Sequence, residues 1–184
     1  MEAAEQALQD SPAEVAKHLG RAKQLARESL HEARRSVWNL RSRALLERPL
    51  EAVLEGEVKQ LADEGAVRAS FHLKGAKRRL PPHVEDNLLR FCRESLTNVR
   101  RHAAASEVQV ELSFSPEAVC LRVRDDGVGF DPDAAKASAA GRFGLAGMAE
   151  RARLLGGQLT VTSQKAEGTL IELRTPLPLQ GTDA

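Results

Sequence analysis

Apolar residues follow helical spacing in the first quarter of the chain and shorter, mixed spacings afterwards. Over residues 15–44 they recur every three or four positions, and Ser11-Pro12 has the residue types that begin a helix. The pattern predicts a coiled-coil-type helix over residues 12–44, about 45 Å long at 1.5 Å per residue. Such a helix cannot bury its apolar seam alone. We therefore expect residues 12–46 to form a homodimer through a helical bundle, with packing against the chain's own globular part as the alternative.

The rest of the chain changes period repeatedly, and Arg48-Pro49 marks the change. Helical spacing predicts helices over residues 50–65, 84–99 and 145–155. Alternating apolar and polar residues predict strands over 67–73, 108–114, 119–123, 159–161 and 170–173, with a loop at 131–140. This order favours an α+β fold, a two-layer sandwich with helices on one face of a mixed, mostly antiparallel sheet. The predicted domains are a helical region at 1–47, a globular domain at 48–178 and a tail at 179–184.

Composition and charge indicate the compartment in which the chain folds and the kinds of partner it can bind. With 184 residues and a formal net charge of +1, the chain can bury a core and has no overall electrostatic footprint for nucleic acid. No apolar run approaches the roughly 18 residues needed to cross a bilayer, and the start does not resemble a signal peptide. Cys92 and Cys120 lack C-x-x-C or Cys/His ligand spacing, which favours buried thiols in a reducing compartment. We expect a cytoplasmic chain without membrane contact in this segment.

A carboxylate-led glycine turn follows the strand predicted at 119–123. In Asp125-Asp126-Gly127-Val128-Gly129, the first Asp would project an acceptor-only group from the strand end. Gly127 and Gly129 lack the Cβ atoms that would block a tight turn, so another group can approach the backbone closely. Alone, this turn is more typical of an ordinary hairpin. Two further segments make a binding site the better interpretation.

The upstream segment lies on the helix predicted at 84–99. Glu94 and Asn98 are four residues apart and share a face of it, and Arg101 and His102 follow one turn later. A carboxylate, a carboxamide oxygen and cations suit a hydrated Mg²⁺ that bridges to phosphates, because Mg²⁺ keeps several waters and takes few protein ligands. The alternative is an exposed polar face without a ligand.

The downstream segment is Gly144, at the start of the helix predicted from Leu145. Unpaired backbone N–H groups at a helix start bind anions, and a glycine lets a phosphate come close. Asp125 would instead accept a hydrogen bond from the exocyclic amine of adenine. The two groups therefore suit the two ends of ATP, although the chain has neither a P-loop nor a Rossmann fingerprint.

Taken together, the three segments resemble a known nucleotide-binding fold. Glu94-x-x-x-Asn98, Asp125-x-Gly127-x-Gly129 and residues 141–147 resemble the N, G1 and G2 boxes of the GHKL, or Bergerat, fold. The sequences RESLTNVRRHA and GRFGLAGMAERARLLGG are most similar to sensor histidine kinases of the NarL/DesK type, and the resemblance covers residues 50–178.

The resemblance implies ATP and Mg²⁺ as cofactors and a role for each matching residue. It implies that Asn98 holds Mg²⁺ and that Asp125 binds the adenine amine. Gly127 and Gly129 would form the hinge of a loop that closes over the nucleotide, and Glu94 would orient the ion or a water for catalysis. The other implied nucleotide contacts are Gly144 and Gly147 at the phosphates, Leu145 beside Gly144, Arg101 and His102 near the phosphates, and Thr169 near adenine.

The N-terminal sequence LARESLHEARRSVWNLR resembles the second helix of the dimerisation and phosphotransfer domain of the same kinases. In that family the acceptor His lies on the first helix, to which only residues 1–9 correspond here, and they contain no His. His31-Glu32 imitates the acceptor pair, but it lies within the second-helix pattern and too near Asn98 for the family's arrangement. His18 fits less well.

These resemblances imply the ATP-binding catalytic core of a two-component sensor histidine kinase, either cytoplasmic or the cytoplasmic part of a membrane-anchored sensor. It would transfer the γ-phosphoryl of ATP to a His on an acceptor helix offered in trans, for relay to an Asp of a response regulator receiver domain. It would not autophosphorylate alone. The alternatives are a GHKL serine kinase or ATPase, and a nucleotide-binding dimerisation scaffold without transfer.

Overall fold

The structure is a computed structural model that describes residues 42–65, 67–132 and 139–177, with only the backbone described for 139–143, together with residues 18, 20 and 21. Contacts divide the chain into two compact units, Met1–Arg41 and Ser42–Ala184. Residues 1–9, which correspond to the first helix of the resembled domain, and most of the helix predicted over 12–44 lie outside the described residues. The architecture below is that of the second unit.

A five-stranded mixed sheet forms one layer of this unit. Its strands are β1 (Arg68–Lys74), β2 (Glu107–Phe114), β3 (Ala118–Asp125), β4 (Gln158–Ser163) and β5 (Thr169–Pro176), in the spatial order β1-β2-β3-β5-β4. β1 runs parallel to β2, and the other neighbouring pairs are antiparallel. The predicted α+β fold with a mixed, mostly antiparallel sheet is therefore confirmed.

Helices form the other layer. They are α1 (Arg43–Glu47) and α2 (Leu50–Asp63) before β1, α3 (Pro82–Asn98) between β1 and β2, and α4 (Ala139–Leu154) between β3 and β4. The chain continues from α3 through one π-turn, Val99–Ala103. α2 packs on β1, α3 on β3 and β5, and α4 on β4 and β5. None of the helices in the described part of the chain is long and apolar enough to cross a membrane.

The core lies between the two layers because each layer presents its apolar residues on one face. On β2, Val108 and Val110 are fully buried, whereas Gln109 between them is exposed. The helices bury stripes spaced three and four residues apart, namely Leu50, Val53, Leu54, Val58 and Leu61 on α2 and Val84, Leu88, Cys92 and Leu96 on α3. The opposite face of the sheet is polar and carries ion pairs, including Lys74 with Glu111 at 2.6 Å.

Two helix boundaries differ from the predictions. Ser42 is not helical, since its ψ angle is 125° and its backbone N–H donates to Asp86 Oδ1 at 2.9 Å. The helix predicted over residues 12–44 is therefore interrupted at Ser42, and α1 begins as a separate helix at Arg43. α4 begins at Ala139 rather than near residue 145. The alanines at its start are the best helix formers, whereas each glycine that follows costs about 1 kcal/mol relative to alanine.

Candidate functional site

A cavity of about 310 Å³ lies between the helix layer and the ends of β3 and β5. Its apolar wall comes from both layers: Val99 and Ala103 on the π-turn, Val123 on β3, Ile171 on β5, and Phe130 and Leu145 in the segments that follow β3. Its polar groups include Asp125 and Thr169 on the sheet side and Asn98 and His102 on the helix side. An apolar slot with a few placed polar groups is the usual form of a small-molecule site.

Asp125 is the last residue of β3 and is only 7% exposed. Its Oδ1 accepts a hydrogen bond from the Gly127 backbone N–H at 3.0 Å. Burial raises the pKa of the Asp125 carboxyl, an effect partly offset by hydrogen bonds from the backbone N–H groups of Gly127 and Thr169. Burial therefore makes ionisation of this carboxyl costly, and a further hydrogen-bond donor from a ligand would lower that cost.

Asp126, the next residue, has the opposite environment. Its Oδ1 accepts hydrogen bonds from the backbone N–H groups of Ser106 and Glu107, both at 2.8 Å, and its Oδ2 accepts the Ser106 hydroxyl. The Ser106 hydroxyl and the Glu107 N–H hold the pKa of the Asp126 carboxyl below its usual range. These hydrogen bonds connect the turn to the start of β2. Asp126 is not among the residues that line the cavity.

Gly127 and Gly129 are required by close approach of the chain's own backbone. A Cβ on Gly127 would overlap the Ala103 carbonyl oxygen, and one on Gly129, where φ is +57°, would overlap the Gln164 carbonyl oxygen. Both backbone polar groups of the intervening Val128 are hydrogen-bonded. Its N–H donates to the Ala103 carbonyl and its carbonyl accepts the Ala166 N–H, each at 2.7 Å. The predicted close approach is present, and Gly129 lines the cavity whereas Gly127 does not.

On the helix side, the π-turn decides which polar residues reach the cavity. Asn98 and His102 line it and Arg101 does not, although both Arg101 and His102 are exposed. A turn closed by i→i+5 hydrogen bonds holds more than four residues, so the residue four positions ahead returns to the side of Asn98 and the one three ahead does not. The prediction that Arg101 and His102 share one face with Asn98 is therefore correct only for His102.

Glu94 lies beside the glycine segment of α4, not in the cavity wall. Its Oε1 is 3.2 Å from the position that a Cβ on Gly144 would occupy. Gly144 and Leu145 line the cavity, whereas Gly147 does not. Because α4 begins at Ala139, the prediction that Gly144 opens the helix is wrong, and this residue lies in the second turn.

Six lining residues were not predicted as site residues: Ser95, Val99, Ala103, Val123, Phe130 and Ile171. One signal could have found two of them. Val123 is two residues before Asp125 on β3 and therefore points to the same face, and Ile171 is its register partner on β5. The others depend on how the helix layer packs, which periodicity alone does not reveal.

The described residues contain no group of three or more His, Cys, Asp or Glu side chains that could hold a metal ion. Mg²⁺ takes few protein ligands and keeps several waters, so a site for it would not need such a group.

Comparison with known proteins shows the family. Residues 83–179 match the model of histidine kinase-, DNA gyrase B- and HSP90-like ATPases, and residues 1–45 match a histidine kinase model. The chain is 34% identical over 164 residues to the signal transduction histidine-protein kinase/phosphatase DegS of Brevibacillus brevis, covering 89% of this chain and 42% of the relative. It is 44% identical over 94 residues to the sensor histidine kinase LiaS of Bacillus subtilis, covering 51% and 25%.

A solved structure agrees with these relatives. The blue-light activated histidine kinase of Erythrobacter litoralis EL346 superposes with a TM-score of 0.57 and 26% identity, over 73% of this chain and 43% of that one. The chain spans less than half the length of the curated relatives it matches. The resemblance to sensor histidine kinases is confirmed, and because the ATPase model matches more than half of the sequence, the chain belongs to the histidine kinase-, DNA gyrase B- and HSP90-like ATPase family.

Proposed function

We propose that this chain is the ATP-binding catalytic core of a two-component sensor histidine kinase. It binds Mg·ATP in the cavity and transfers the γ-phosphoryl to a His on an acceptor helix offered in trans, from which an Asp of a response regulator receives it. The observation that carries this proposal is the buried Asp125 in an apolar cavity that also presents Asn98 and Gly144.

The sheet side of the cavity fits adenine. A purine ring is flat and apolar on its faces, which suits walls formed by residues such as Val99, Val123 and Ile171. The exocyclic amine is a donor, and Asp125 offers an acceptor with no competing proton once ionised. A hydrogen bond to a charged group contributes about 1.5 to 3 kcal/mol, enough to select the base and set its orientation.

The helix side fits the phosphates and their ion. Mg²⁺, when bound, neutralises phosphate charge and orients the γ-phosphoryl group. Asn98 lines the cavity, and its side-chain amide oxygen is of the ligand type that Mg²⁺ takes. His102 and, more distantly, Arg101 add donors on the same turn, and we assign Glu94 to orient the ion or a water. Gly144, Leu145 and Gly147 would pass close to the phosphates.

The match of residues 1–45 to a histidine kinase model supports the proposed partners. We infer that residues 12–46 form a homodimer with the helices of a second copy, that the acceptor helix is its substrate, and that a receiver domain docks on that helix. Residues 1–9 contain no His. For this reason transfer in trans is proposed, in place of autophosphorylation.

The test is incubation of the full chain with γ-labelled ATP, with and without Mg²⁺, and with and without a separately supplied acceptor-helix fragment of a NarL/DesK-type kinase. We expect Mg²⁺-dependent, acid-labile label on the added fragment only. Label on this chain alone would mean that His31 or His18 accepts the phosphoryl group. ATP binding without any label would favour a dimerisation scaffold, and absence of ATP binding would exclude the proposed function.

A further inference from the structure

Ser163, the last residue of β4, is bonded to three groups around the cavity without lining it. Its Oγ accepts the Phe130 backbone N–H at 2.9 Å, donates to the Gly168 carbonyl at 2.9 Å, and lies 3.0 Å from Thr169 Oγ1. Both Phe130 and Thr169 line the cavity. The Ser163 hydroxyl therefore joins two parts of the cavity wall.

The protons of these groups can be assigned by counting. A hydroxyl has one proton to donate and two lone pairs to accept with. The Phe130 N–H can only donate, so it occupies one lone pair of Ser163 Oγ. The Gly168 carbonyl can only accept, so it takes the Ser163 proton. In the remaining contact, Thr169 must therefore donate to Ser163.

This assignment fixes what Thr169 can offer a ligand. Once its proton is directed to Ser163, the Thr169 oxygen has only lone pairs left for the cavity. Thr169 is 8% exposed and is the register partner of Asp125 across β3 and β5. The sheet side of the cavity thus presents two neighbouring acceptors, one from each strand.

We propose that Ser163 is a positioning residue that sets the base selectivity of the site by holding the Thr169 hydroxyl as an acceptor. The inference rests on the proposed binding of ATP. A base edge that carries an amine, as in adenine, supplies protons to these acceptors. Hypoxanthine has a carbonyl oxygen at the position of this amine, which places a third acceptor against them and leaves N1–H as the only donor on that edge, and buried acceptors left without donors are costly.

The experiment measures the affinities of the full chain for ATP and ITP by calorimetry, in the parent and in Ser163→Ala. Without Ser163 Oγ, the Thr169 proton is free to turn toward the ligand. We expect the preference for ATP over ITP to fall about three- to tenfold, the scale of one neutral hydrogen bond. Ser163→Thr, which keeps the hydroxyl, should retain the parent's preference.

A matched control is Ser113→Ala. Ser113 is also a partly buried strand serine, but its hydroxyl bonds to the Cys120 carbonyl at 3.4 Å, and it does not line the cavity. This variant should leave the ratio of the two affinities unchanged. A fall as large as that of Ser163→Ala would overturn the proposal, because it would mean that any serine loss changes selectivity.

A double-mutant cycle tests the route through Thr169. Thr169→Val alone should lower the preference for ATP, and adding Ser163→Ala to it should lower the preference no further. A second, equal fall in the double variant would overturn the inference. An unchanged preference in Ser163→Ala would overturn it too. If Ser163→Ala does not fold, an unchanged preference in Thr169→Val would have the same meaning. If the parent binds neither nucleotide, the proposed function itself fails and this inference with it.

Discussion

At the scale of single residues, Asp125 and Asp126 are adjacent carboxylates with opposite environments. The first loses water on burial and gains two backbone donors, which raises its pKa on balance. The second stays exposed and gains the Ser106 hydroxyl and two backbone donors, which lowers its pKa. Their stability effects therefore have opposite signs.

For Asp125 the folded chain holds its proton to a higher pH than the unfolded chain does. Stability therefore falls as pH rises from the unfolded pKa through the raised one, and above it the ionised group is a cost to the fold. We expect Asp125→Asn at pH 7 to be at least as stable as the parent, because the amide is neutral and its oxygen can still accept the Gly127 N–H. Its ATP affinity should fall by about 1 to 3 kcal/mol.

Thermal unfolding and calorimetric titration with ATP, over a pH range that spans the titration of Asp125, check both parts of this prediction. Parent affinity should decline as pH falls through the raised pKa of Asp125, and the affinity of Asp125→Asn should not. Asp126→Asn is the control. Because the pKa of Asp126 is lowered by folding, this carboxylate stabilises the parent at pH values above its pKa in the unfolded chain, and the variant should lose that stability with its ATP affinity unchanged. A less stable Asp125→Asn with unchanged affinity would contradict the assignment of the adenine contact.

At the scale of elements, periodicity predicted the strands and the buried stripes of α2 and α3 because each element has one buried face. It did not predict the π-turn at Val99–Ala103, which contains ordinary helix residues and no sequence signal for i→i+5 bonding. Nor did it place the start of α4 at Ala139, where helix propensity and a glycine-rich segment compete. The π-turn decides that His102 reaches the cavity and Arg101 does not.

The glycines of α4 provide a test at this scale. A Cβ on Gly147 would meet nothing within 4 Å, so Gly147→Ala should raise the free energy of unfolding by about 0.5 to 1 kcal/mol through helix propensity. Gly147 does not line the cavity, so the same methyl group should weaken ATP binding severalfold only if bound phosphates lie against this turn of α4. Unfolding and nucleotide titration measure the two effects separately.

Gly56→Ala is the matched control for this prediction. Gly56 also lies within a helix, α2, and a Cβ there would be 3.7 Å from Arg48 Nη1, an ordinary contact. It should bring a similar gain in stability without any change in ATP affinity. If Gly147→Ala stabilises the chain and binds ATP as well as Gly56→Ala does, Gly147 is not a phosphate contact.

At the scale of the whole molecule, the question is where the globular unit begins. The sequence predicts residue 48, after the helical stripe ends, whereas the compact unit begins at Ser42. Ala44 and Leu45 explain the difference, because Ala44 is the last position of the stripe and yet packs against the globular core, in which Leu45 beside it is buried at 4% exposure. A spacing pattern cannot distinguish burial in a helical bundle from burial in a globular core. It also carries no information on the hydrogen bond between the Ser42 N–H and Asp86.

Two truncations decide between the boundaries. We expect residues 48–184 to be less stable than residues 42–184 by about 2 to 4 kcal/mol, since the shorter fragment loses the burial of Leu45, about 1.5 to 3 kcal/mol, and one hydrogen bond to the buried Asp86. Chemical denaturation measures the difference, and Leu45→Ala in the longer fragment should reproduce most of it. Equal stabilities would place the start of the unit at residue 48. If residues 12–46 form the dimer, both fragments should also sediment as monomers while the full chain sediments as a dimer.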